Sequence, residues 1–189
     1  MSDYPGLRGD GDQSVKSSLS GSVRVVKFIV DHNVGKLARW LRMMGYDTRL
    51  FSGQDDGQMI AIARKETRVI LTRDTQIMKR RVVSGGQIKA VLLADDAPER
   101  QMHQVIATLG LSPRFRPFTI CLECNQPLEA RSPQQVKDLV PPYVFRTQHQ
   151  YMACPTCHRV YWQGTHWQAM TERLNRFETN DREDRGPGT

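Results

Sequence analysis

The chain has 189 residues, 39% of them hydrophobic and 25% charged, which allows one folded domain with a small appendage and excludes a wholly disordered polypeptide. No stretch reaches the roughly 18–20 uncharged apolar residues of a membrane span, and residues 1–22 lack the apolar run of a secretory signal. The expected setting is therefore cytoplasmic, and a formal net charge of +7 favours an anionic partner.

Residues 1–22 hold glycines, serines and mixed charge without apolar periodicity and read as a disordered tail. Order is expected from Val23. Val25, Val26, Phe28, Ile29 and Val30 form a nearly continuous apolar run, which predicts a strand covered on both faces. Val34, Leu37, Trp40, Leu41 and Met44 then recur at helical steps up to Gly45, with Lys36, Arg39 and Arg42 on the polar side. A short strand is predicted over 48–51 and a helix over 55–66, where Asp55 and Gln58 have capping-box spacing. Val69, Ile70 and Leu71 mark a third strand over 68–72. Asp74 opens a short helix ending in Lys79, Arg80 and Arg81, and Gly85-Gly86 break the chain. A fourth strand is predicted over 88–94. Asp96 and Glu99 repeat the capping-box spacing before a helix striped by Met102, Val105, Ile106 and Leu109.

This alternation predicts an α/β fold with a parallel sheet wrapped by helices. It stops after Pro113, so a first domain is expected over 23–112 and a second over 113–179, with a disordered tail over 180–189. In the second part, Ser132-Pro133-Gln134-Gln135 reads as a capped helix start stopped by Pro141-Pro142. Trp167, Met170, Leu174 and Phe177 mark a final amphipathic helix.

The acids fall where predicted strands end. Asp31 follows the first strand, Asp74 the third, and Asp95 and Asp96 the fourth, while Asp55 and Asp56 open the helix after the second. In an open parallel sheet these ends share one rim, where sites assemble. Clustered carboxylates repel unless neutralised, and the fitting neutraliser is a hard cation, Mg or Mn. Such a site can polarise a phosphodiester and supply hydroxide for in-line hydrolysis. Asp55, Asp74 and Asp96 equally suit helix N-caps, whereas Asp31 at the mouth of a buried strand is costly without a partner.

Cys121 with Cys124, and Cys154 with Cys157, form two Cys-x-x-Cys pairs, which predicts a closed, structural zinc site. Redox chemistry is disfavoured because neither pair sits at a strand-to-helix junction. Asn125 and His158 follow the pairs, and both residue types tolerate the left-handed backbone of a tight turn. His158 and His166 read as surface or capping residues. Tyr161, Trp162 and Trp167 suit either a miniature core or a stacking surface for bases.

The run Phe28-Ile-Val-Asp-His-Asn-Val-Gly-Lys-Leu-Ala-Arg-Trp-Leu-Arg-Met-Met-Gly-Tyr-Asp-Thr48, then Asp55-Asp56, then Val69-Ile-Leu-Thr-Arg-Asp74, resembles the Mut-seven C-terminal RNase domain family, a branch of the PIN-like nucleases. The resemblance continues through Cys121-Leu-Glu-Cys-Asn125, Cys154-Pro-Thr-Cys157 and Tyr161-Trp-Gln-Gly-Thr-His166, roughly residues 25–175. It implies a PIN-like three-layer α/β/α domain carrying a zinc ribbon, with metal-dependent cleavage of RNA. It implies metal-ligand roles for Asp31, Asp74 and Asp56, and a catalytic role for Asp95. His32 departs from the family, where that position is often acidic or small. Lys36, Arg39, Arg73, Lys79, Arg80 and Arg81 are the candidates for substrate contact. The alternative is a non-catalytic RNA- or ribosome-binding adaptor on a degenerate fold. A receiver-like signalling domain also gathers acids at strand ends but leaves the cysteines unexplained.

Overall fold

A computed structural model describes residues 26–113 and 115–183. The tail expected over 1–22, and the start of the first strand at 23–25, lie outside them, as do residues 184–189 of the tail expected over 180–189, whose residues 180–183 belong instead to the last helix.

Four strands form one parallel sheet: β1 (Lys27–Val30), β2 (Thr48–Leu50), β3 (Arg68–Thr72) and β4 (Ala90–Leu92), in the order β2-β1-β3-β4. Around it lie α1 (Gly35–Met43), α2 (Asp56–Glu66), α3 (Thr75–Lys79), α4 (Arg81–Ser84) and α5 (Pro98–Leu109). Alternate side chains of the central strands enter different layers. Phe28, Val30, Val69 and Leu71 pack with Leu37, Leu41, Met102 and Val105 from α1 and α5. Ile29 and Ile70 pack on the other face with Met59, Ala63, Ile77 and Val83. Burial on both faces is why these strands read as continuous rather than alternating apolar runs.

Two helix starts behave as their sequences predict. The Asp55 side chain accepts from the Gly57 N–H at 2.8 Å, and Asp74 accepts from the Gln76 N–H at 2.6 Å. The start of α5 does not. Its N-cap is Ala97, followed by Pro98 in the first turn, and Asp96 pairs instead with Arg73. Proline disfavours helical backbone in the residue before it and suits the first helical position, so the helix begins later than the capping-box spacing suggests.

The second part forms an antiparallel sheet, β5 (Glu129–Arg131), β6 (Tyr151–Ala153) and β7 (Val160–Trp162), with α6 (Pro133–Val136), α7 (Pro142–Thr147) and α8 (Thr165–Glu183). The capping box of Ser132 and Gln135 is present. That helix ends at Val136, ahead of Pro141-Pro142, and the prolines instead open the next one, Pro142 being the first residue of α7. Val136, Val140 and Tyr151 make a small local core.

The two parts meet at the end of α1. Gly45 has φ +89°, and a Cβ there would collide with the Arg116 carbonyl oxygen, so only glycine admits this close approach. Tyr46 stacks on Phe115 at 4.7 Å, and Met170 of α8 packs against the first-layer core. Among the described residues, no helix is long and apolar enough to cross a membrane.

At the N-terminal ends of the strands, buried Arg68 pairs with Asp47 (2.7 and 3.0 Å) and Glu66 (2.6 Å). Burial works against the Asp47 carboxylate, but hydrogen bonds from Arg68 and Asn125 outweigh it and hold Asp47 below its ordinary value; an Arg68 hydrogen bond does the same for Glu66. A depressed carboxylate pKa contributes stability that is present above the unfolded value and lost as pH falls through the folded one. Stability is therefore expected to drop as pH falls below about 4. Urea unfolding across that range should show a shallower decline for Asp47→Asn, together with a loss of about 2 kcal/mol at neutral pH. An identical pH profile would dismiss the network.

Candidate active site and cysteine cluster

Because β1 and β3 are adjacent and parallel, the residues after them emerge on one rim. Asp31 follows β1 in extended conformation and is only 6% exposed. One carboxylate oxygen accepts from the Asn33 N–H at 2.9 Å; the other accepts from the Thr72 hydroxyl. The Thr72 oxygen in turn accepts from the Asp74 N–H at 2.9 Å. Asp31 and Asp74 are thus joined through one buried threonine at the end of β3.

Asp56 opens α2 after β2, on the other flank of β1, with Arg80 3.9 Å away. Asp95 follows β4 and is engaged by the entry to α5, accepting from the Ala97 N–H at 2.7 Å and pairing with Arg100. The Arg100 hydrogen bond, aided by the Ala97 N–H, holds Asp95 below the usual carboxylate range. Among the described residues, Asp47, Asp56, Asp95 and Asp96 each pair with a cationic side chain, whereas Asp31 and Asp74 form no ion pair.

The basic candidates divide. Lys36, Lys79 and Arg81 are exposed, and Arg80 faces Asp56. Arg73 pairs with Asp96, and Arg39 with Glu123 at 3.2 Å. Arg42, read from sequence as part of a polar helix face, is instead 6% exposed. Its guanidinium donates to the Thr48 carbonyl at 2.9 Å and to the Leu122 and Glu123 carbonyls at 2.8 Å each. The cysteine module covers that side of α1, which removes it from water.

All four cysteine sulfurs lie within 4.8 Å of one another. Three separations are 3.2, 3.4 and 3.6 Å, well beyond the roughly 2.05 Å of a disulfide and close to the about 3.8 Å between thiolates around tetrahedral zinc. Each pair sits in the same kind of turn. The Asn125 N–H donates to the Cys121 carbonyl at 3.1 Å and the His158 N–H to the Cys154 carbonyl at 3.0 Å, with φ of 62° and 58°. These are the left-handed positions expected after each pair.

Burial pushes the Cys121 thiol up, but hydrogen bonds from the Cys124 and Glu123 N–H groups and the Tyr161 hydroxyl bring it down to about 6. Burial and the neighbouring thiols push Cys124 up to about 12. Four sulfurs this close cannot all ionise without a cation among them, and soft thiolate donors suit zinc. Among the described residues, the cysteines form the cluster of three or more ligating side chains at this distance, and Asp31, Asp56 and Asp74 do not gather as one. Mg or Mn keeps several waters and takes only one or two carboxylates directly.

Sequence reading missed Thr72, Arg42 and the Asn125 side chain. Asn125 accepts from the Thr48 N–H at 2.8 Å and donates to Asp47 at 2.6 Å. The one available signal for Thr72 was its place two residues before Asp74, where a hydroxyl caps a turn.

Comparison with curated proteins and with solved structures found no match. The family model described as Mut7-C RNAse domain matches residues 26–174. That span takes in both the acidic rim and the four cysteines, and the chain belongs to the Mut7-C RNAse domain family.

Proposed function

We propose that this chain is a metal-dependent ribonuclease in which Asp31 and Asp74, with Asp56, hold Mg or Mn at the rim of the sheet. The observation that carries the reading is the Asp31 carboxylate, buried in a chain of net charge +7 yet in no ion pair among the described residues. A buried carboxylate without a countercharge is destabilising, and a divalent ion would supply that charge. The family supports RNA as the substrate.

Thr72 orients Asp31 through its hydroxyl and braces the turn that carries Asp74. Lys36, Lys79, Arg80 and Arg81, on or between the helices that follow Asp31 and Asp74 in the chain, would bind backbone phosphates, positioning the strand without reading its sequence. When bound, the metal supplies polarisation of the scissile phosphate and a water of lowered pKa. Asp95 enters only as an outer acid, because Arg100 already neutralises it. His32 stays outside the ligand set, since imidazole suits softer ions than Mg. The cysteine module would hold structural zinc.

Single-stranded RNA incubated with the protein is expected to be cleaved when Mg or Mn is supplied and to survive when neither is. The exposed His32 beside Asp31 is the feature that favours the adaptor reading. RNA bound tightly but left intact with either metal would establish that reading and remove the nuclease.

A further inference from the structure

We propose that the groove between α1 and the cysteine module is a second subsite for single-stranded RNA, in which unpaired bases stack on aromatic side chains. The groove has a volume of about 620 Å³, the size of a small-ligand pocket (~300–1,000 Å³). Tyr143, Trp162, Trp167 and Phe118 stand on its walls. Tyr143 is 69% exposed on α7, a helix whose entry is stiffened by two prolines. Trp167 is held edge-on against Phe118 at 5.0 Å, and Trp162 packs against the small core around Tyr151. Trp162 therefore serves both readings of the sequence: it packs on the module's core and presents surface to the groove.

Charge decides what kind of ligand fits. Among the described residues lining the groove none is acidic; of its two arginines, Arg42 is buried against three carbonyls and Arg39 is exposed. At its margin, Glu123 is shared between Arg39 at 3.2 Å and Arg159 at 3.3 Å, which leaves an excess of positive charge. Flat aromatic faces with the exposed Arg39 guanidinium beside them complement a ligand of flat bases on an anionic backbone. An apolar peptide would gain nothing from that charge.

Helix α1 links the groove, which its Arg39, Arg42 and Met43 line, to the turn after Asp31. Lys36 and Arg39 are exposed one helical turn apart on α1, so they share a face that leads from the turn after Asp31 to the groove. At 1.5 Å per residue, Lys36 to Met43 spans about 10 Å. RNA seated in the groove is thereby led along a basic track to the acids. The inference takes its ligand from the ribonuclease reading but is tested by binding alone.

The test is binding of a short, labelled oligoadenylate to the zinc-loaded full chain, without added Mg or Mn. Tyr143→Ala and Trp167→Ala are each expected to weaken binding about tenfold, while affinity for duplex RNA holds. Trp167→Phe should keep most of the affinity but lose much of the tryptophan quenching that RNA causes. Unchanged zinc content guards against misfolding, and Tyr143 is too exposed for its loss to disturb the fold. Wild-type affinity in Tyr143→Ala and Trp167→Ala, with quenching intact in Trp167→Phe, would overturn the proposal and leave the groove to a protein partner. If the groove variants bind normally while metal-dependent cutting persists, the subsite fails and the nuclease stands. If they lose affinity and no metal supports cutting, the subsite stands and the nuclease fails.

Discussion

Asp31→Asn is expected to lower metal-dependent RNA cleavage by at least about a hundredfold while leaving the melting temperature in divalent-free buffer at or above that of the wild type. The carboxylate is 6% exposed and, among the described residues, in no ion pair. Asparagine keeps its size, but its amide can satisfy only one of the two donors, the Asn33 N–H or the Thr72 hydroxyl. That loss costs about 1 kcal/mol, and it is set against relief of a buried, uncompensated charge. Adding Mn should raise the melting temperature of the wild type by linkage and leave the variant unmoved. Asp74→Asn should lose activity similarly while its amide oxygen still caps α3. A sharply lowered melting temperature in Asp31→Asn would mark that residue as structural, and wild-type cleavage would take it out of the mechanism.

Loss of zinc, by chelation or through Cys154→Ser, is expected to destabilise the α/β domain as well as the cysteine module. The module's own buried core is small, so it depends on a cross-link for its fold. It is also tied into the first domain. Arg42 spans from the Thr48 carbonyl to two carbonyls of the Cys121–Cys124 turn, and Asn125 links that turn to Thr48 and Asp47. When the turn loosens, the Arg42 guanidinium keeps one of its three carbonyl acceptors, and a lost hydrogen bond to a charged group costs about 1.5–3 kcal/mol. Hydrogen exchange should therefore accelerate in residues 41–50 on zinc removal, and the main unfolding transition should fall with it. Arg42→Met provides the control, since it should uncouple the two parts and confine the effect of chelation to the module. Unaltered exchange in residues 41–50 after zinc loss would show that the parts are energetically separate.

Much of the architecture was legible because it rests on local patterns. The central strands are buried on both faces, so Phe28 to Val30 and Val69 to Leu71 announce themselves as unbroken apolar runs. In a parallel sheet the residue after such a run must emerge on the same rim as its neighbours, so Asp31 and Asp74 could be assigned to one edge from order along the chain. The cysteine pairs are likewise local: a Cys-x-x-Cys turn followed by a residue tolerant of positive φ carries its geometry within five residues. Where a local rule met a stronger local rule, the reading slipped, as at Ala97-Pro98 and at Pro142.

The contacts that bind these pieces into one molecule were not legible. Arg42 meets the Leu122 carbonyl across 80 residues, and nothing in the helical period of α1 distinguishes a basic face open to water from one covered by another module. Thr72 is an ordinary strand residue until β1 lies beside β3 and brings Asp31 to its hydroxyl. Sequence specifies each element, its buried stripe and its chemically distinctive residues, because these depend on near neighbours. Which charge is screened, clamped or left without a counterion depends on which surfaces meet, and only the folded chain sets that.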